Sequence, residues 1–94
     1  MTESKNYFVY IIRTQNNNLY IGHTNNLNRR EIEHKHFHHG AKFIHDDGSN
    51  FNLVFTGKYF TRTEAMKREK QLKGWTRAKK EALITGDLEL LKKL

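Results

Sequence analysis

A chain of 94 residues holds one domain and buries roughly 60 to 65% of its unfolded surface, enough for a core and an open cleft but not for an elaborate enclosed cavity. It has no cysteine, so disulfides and thiolate zinc sites are excluded; no apolar run nears the roughly 18 residues of a membrane span and no charged-then-apolar leader suggests export, so the cytoplasm is the expected compartment. The net charge of +7 is concentrated: residues 58–80 carry nine Lys/Arg against two acids, which suits a nucleic-acid backbone, although a solvated helix face would look the same.

Residues 1–6 are polar and expected to fray. Tyr7 to Thr14 alternates and is rich in β-formers, with Phe8, Tyr10 and Ile12 on one face and Tyr7, Val9 and Ile11 on the other. Apolar residues on both faces predict a central strand. Gln15 to Asn18 connects it to a second strand, Asn18 to Thr24, where Tyr20 and Gly22 oppose Leu19 and Ile21. In that hairpin Tyr10 and Tyr20 meet within a residue or two of register, and Gly22 marks a close backbone approach or bend.

Thr24-Asn25-Asn26 offers caps for a helix from about Leu27 to His39, stopped by Gly40. Its wheel groups Leu27, Arg30, Glu31, His34, Phe37 and His38, with Ile32 away from them. That face is too polar for a core, and Arg30 and His34 form an i,i+4 pair on it. The spacing of His34 and His38, with His36, His39 and His45 nearby, would suit a transition metal. Lacking cysteine and closely placed acids, the cluster is better explained as a pH-responsive surface or as chance.

Residues 46–50 read as a loop and Asn52 to Phe60 as a third strand, with Gly57 as the candidate bulge. Thr61-Arg62-Thr63-Glu64 has the form of a capping box opening a helix to about Lys73, ended by Gly74. Ala65, Glu69 and Leu72 fall at i, i+4, i+7, so a carboxylate interrupts the inward stripe and demands a cation, either a metal or a salt-bridge partner such as Arg30 or a lysine. Trp75 and Thr76 start a helix to about Thr85, with Ala78, Ala82 and Leu83 packing and Lys79 and Lys80 outside. After Gly86-Asp87, Leu88, Leu91 and Leu94 predict a short last helix closing the core.

Phe8-Val9-Tyr10 and Tyr20-Ile21-Gly22 resemble the signature tripeptides of the GIY-YIG nucleases, above all the small single-domain bacterial branch. Asn25-Asn26-Leu27, Arg29-Arg30, His34, Gly40-Ala41-Lys42, Leu53-Val54-Phe55 and Arg68 to Lys73 follow in the family's order, so the resemblance covers residues 7–84 of a single 1–94 domain. It departs at Glu31, where relatives usually carry an apolar residue, and at Phe43, where they carry tyrosine. The resemblance implies an α/β (α+β) fold in the order β-β-α-β-α-α, with a three-stranded antiparallel sheet. It also implies a metal-dependent endonuclease acting on DNA phosphodiester bonds, structure-selective and active in repair or recombination.

Carried over residue by residue, Glu69 would ligate one Mg²⁺ or Mn²⁺, Arg30 would meet the phosphate, and Tyr10, assisted by His34, would serve as base or water positioner. Tyr20 would orient phosphate or water, and Tyr10 would need cation neighbours to lower its pKa. Lys42, Lys67, Lys70 and Lys73 are the expected contacts to the DNA backbone, and a protein partner would supply any targeting. The competing functions are a non-catalytic basic nucleic-acid-binding module and a His-rich transition-metal-binding protein. Ordinary strand packing is the competing role for both tyrosines.

Overall fold

A computed structural model describes residues 6–28, 32 and 51–94. β1 (Tyr7–Thr14), β2 (Leu19–Thr24) and β3 (Phe51–Tyr59) form an antiparallel sheet in the order β2-β1-β3. The predicted central strand is therefore β1, and its Val9, Tyr10, Ile11 and Ile12 are all buried. Four successive buried side chains can only be covered from both faces of a sheet, at roughly 1.5 to 3 kcal/mol each for full burial. The helix expected over residues 27–39 lies outside the described residues except for its flank and Ile32.

Each sheet face has its own apolar cluster. Val9, Ile11 and Ile21 pack with Ala65 and Leu72 of α1 (Arg62–Lys73) and with Trp75, Leu83 and Ile84. On the other face Tyr10 and Ile12 pack with Ile32 and Phe51, flanked by Tyr20 and Leu27. Ile32, set apart from the inward face in the sequence reading, is 2% exposed, which corrects that wheel. The apolar side chain gains by burial whatever the polarity of the residues around it.

The hairpin turn closes through Asn17 at φ 66, with its N–H donating to Thr14 O. It is then tied down from a distance. Arg13 donates two hydrogen bonds to Glu81 of α2 (Arg77–Thr85), at 2.9 and 2.5 Å, and one to Asn17 Oδ1. Arg77 donates to the same Glu81 and to the carbonyl of Asn17.

Thr61 caps the helix as expected: its Oγ1 accepts from the Glu64 N–H, and the hydroxyl donates to the Glu64 carboxylate. Four details correct the sequence reading. The irregularity in β3 falls at Val54, between the pairs Ile11/Phe55 and Ile12/Leu53, whereas Gly57 pairs regularly with Val9. Ala78 is exposed, and Lys79 is half-buried with its ammonium 5.8 Å from the Trp75 ring centre, because an aromatic face attracts a cation that propensity alone would send to solvent. α3 (Leu88–Lys93) buries no residue, and Leu88 is 62% exposed, so this helix does not close the core. The core on the α1 face is closed by α1 together with Trp75, Leu83 and Ile84.

Candidate active site

β1 and β2 position the tyrosines. The register sets Tyr10 opposite Gly22 and Ile12 opposite Tyr20, so both rings rise from one face and stand a diagonal step apart. A Cβ on Gly22 would lie 2.4 Å from the Tyr10 hydroxyl oxygen, which places the phenol directly over the bare backbone of β2. Glycine is required there by the ring, not by the turn. Tyr10 is 1% exposed. Burial first, and then the charge of Glu69, push its pKa up to about 12. Among the described residues the charge that acts on the phenol is that of Glu69, and it is negative.

Glu69 arrives from α1 on the opposite sheet face, between buried Ala65 and Leu72, and reaches the β2 strand. Its side chain is 17% exposed and has the cationic company that its place on the inward stripe required. Lys73 Nζ lies 2.7 Å from Oε2, at the favourable i,i+4 spacing of Glu before Lys. His23 Nδ1 makes a short contact with Oε1. Burial raises the Glu69 pKa, but the hydrogen bonds and charges of Lys73 and His23 outweigh it and hold the carboxyl below its ordinary value. Tyr10 and Glu69 therefore approach the Gly22-His23 segment of β2 from two sides of the sheet.

His23 was not singled out in the sequence. The available signal was its phase: alternation puts it on the Leu19 and Ile21 side of β2, where a polar residue is as much a misfit as Glu69 is on α1. Lys73, read as a DNA contact, is engaged by Glu69. Lys67 faces the other flank of α1, lining an open groove of about 520 Å³ with Tyr59, Glu64, Arg68 and Gln71, and Lys70 is exposed. Lys67, Lys70 and Lys73 follow one another at i, i+3 and i+6 along one side of α1, and of the three Lys73 is the one held by Glu69. Arg30, His34 and Lys42, and the histidine cluster with them, lie outside the described residues. Among the described residues no group of three metal-ligating side chains occurs, and no helix is long and apolar enough to cross a membrane.

Residues 6–82 match the model of the GIY-YIG catalytic domain. The chain is 37% identical over 81 residues to a UPF0213 protein of Enterobacter sp. (strain 638), covering 86% of this chain and 78% of that one. It is 36% identical over 78 residues to a UPF0213 protein of Staphylococcus epidermidis (strain ATCC 35984), covering 83% and 93%. The solution NMR structure of a UPF0213 protein from Bacillus halodurans superposes with a TM-score of 0.54 at 30% identity, over 95% of this chain and 96% of that one. With its tyrosine-bearing hairpin and the glutamate of α1, the chain belongs to the GIY-YIG catalytic domain family, whose nuclease members act on DNA.

Proposed function

We propose that this protein is a divalent-metal-dependent endonuclease that hydrolyses DNA phosphodiester bonds, selective for branched, nicked or damaged structures and serving repair or recombination in the cytoplasm. The observation that carries the reading is Glu69: a largely buried carboxylate on an otherwise apolar stripe, on the helix of the matched catalytic domain that reaches the tyrosine hairpin at His23. Such a donor fits a hard divalent cation that keeps most of its waters. Bound there, Mg²⁺ or Mn²⁺ would supply positive charge to the phosphoryl oxygens and the leaving alkoxide.

The chain's own residues complete the reaction. Arg30 is the assigned second source of positive charge, its guanidinium matching the phosphate in a fork. Tyr10 enters as a protonated phenol, since burial and Glu69 hold its proton at neutral pH, and orients the attacking water. His34 is the assigned proton acceptor, and Tyr20 orients the phosphate or water. Exposed Lys67 and Lys70, together with Lys42, are assigned to the DNA backbone, with sequence targeting left to a protein partner.

Incubation with plasmid, flap, junction and single-stranded DNA, with and without Mg²⁺ or Mn²⁺, tests this. Wild type is expected to nick at least one substrate only with metal. Glu69→Ala and Arg30→Ala are each expected to lose about 10²- to 10³-fold in rate while keeping salt-sensitive binding. Binding without nicking by wild type on every substrate would instead identify a non-catalytic nucleic-acid-binding module.

A further inference from the structure

The contact between His23 and Glu69 is unusual in its placement. β2 delivers an imidazole to the α1 face of the sheet, among Leu19 and Ile21, where its Nδ1 meets the carboxylate that the family reading reserves for a metal. The two side chains are similarly shielded, 21% and 17% exposed, and neither is free to wander into solvent. Lys73 holds Oε2 and His23 Nδ1 holds Oε1, so a cation shared by Glu69 and His23 would take the place of the proton between them. Adjacent ligands of one octahedral ion with bonds of about 2.1 Å stand about 3 Å apart, a spacing that a hydrogen-bonded nitrogen and oxygen reach with little movement.

We propose that His23 is a second protein ligand of the metal held by Glu69, giving a nitrogen-oxygen donor pair that favours a first-row transition ion such as Mn²⁺ over Mg²⁺. The proposal rests on the metal-dependent nuclease reading and adds to it the class of ion. An imidazole nitrogen is a poor ligand for Mg²⁺, which prefers oxygen and retains its water, and a progressively better one along the transition series from Mn²⁺ onward. With a carboxylate alone, the two ions would be bound with similar weakness. With His23 beside it, they separate.

Mn²⁺ alone, titrated into the whole protein without DNA and read by electron spin resonance, tests the assignment. The bound ion is expected to show nitrogen hyperfine coupling. His23→Ala is expected to abolish that coupling and weaken Mn²⁺ binding by about 10- to 100-fold, with Mg²⁺ affinity changed by less than about 3-fold. His23→Gln, which keeps a hydrogen-bond donor for Glu69 but no imidazole, is expected to behave as His23→Ala does, and circular dichroism confirms that each variant is folded. Mn²⁺ binding that depends on Glu69 but shows no nitrogen coupling would overturn the role of His23 and leave the Glu69 site standing. Coupling that survives His23→Ala would place the nitrogen in another histidine and overturn the proposal. Mn²⁺ binding indifferent to Glu69→Ala would overturn the metal site itself.

Discussion

At the scale of single residues, the ring of Tyr10 lying on Gly22 couples a backbone position to a reacting group. Gly22→Ala puts a methyl 2.4 Å from the phenol oxygen and 2.6 Å from the adjacent ring carbon, so the buried ring must shift. Thermal unfolding should show a loss of about 1 to 3 kcal/mol, and nicking should fall by more than that loss explains, since the displaced ring belongs to the proposed site. Tyr10 also links stability to alkaline pH. Its folded pKa of about 12 exceeds the unfolded value of 10.0, so its contribution is complete below pH 10 and is lost as pH rises through about 12. Tyr10→Phe should remove on the order of 2 kcal/mol of that alkaline decline relative to wild type, measured by denaturant unfolding between these limits. Glu69 was legible as a carboxylate at the wrong point of an apolar stripe. His23 was not, because a strand residue declares its face only once the covering helix is known.

Among the elements, α2 holds the hairpin by a polar clamp while α3 holds little. The hydrogen bonds from Arg13 lower the Glu81 pKa against some burial, those from Arg77 lower it further, and the result is about 2. A depressed carboxyl contributes above its unfolded value of about 4.5 and loses that contribution as pH falls through about 2. Glu81→Gln should therefore cost about 0.5 to 1 kcal/mol near neutrality, after allowance for solvent screening, and nothing near pH 2, by urea titration at both values. Because α3 buries no residue, ending the chain after Asp87 should lower stability by less than about 2 kcal/mol while leaving the near-ultraviolet signal of Trp75 intact. The strands, caps and α1 were readable from alternation, the Thr61 to Glu64 capping box and the i, i+4, i+7 stripe. The exposure of the last helix was not, since three leucines at helical spacing describe an apolar face without saying whether any surface remains to receive it.

Across the whole molecule, charge and site divide around α1. Lys73 is committed to Glu69, whereas Lys67 and Lys70 are exposed and stay available to a polyanion. Lys67→Ala or Lys70→Ala should each lower the salt slope of DNA binding by about 1, while Lys73→Ala should affect nicking more than the slope; titrations at several salt concentrations would show it.

The amino-acid order by itself determined the family, the central strand, the tyrosine hairpin and the acid that needed a cation. Each is a local pattern whose physical demand, an apolar face to cover or a charge to neutralise, can be stated before any fold is known. Only the tertiary structure decided which cations answer Glu69, that Tyr10 lies on Gly22 with its proton held tightly, and that residues 68 apart in the chain lock the hairpin. Those outcomes depend on which sheet face α1 covers and on distances between segments remote in sequence, and no periodicity encodes either.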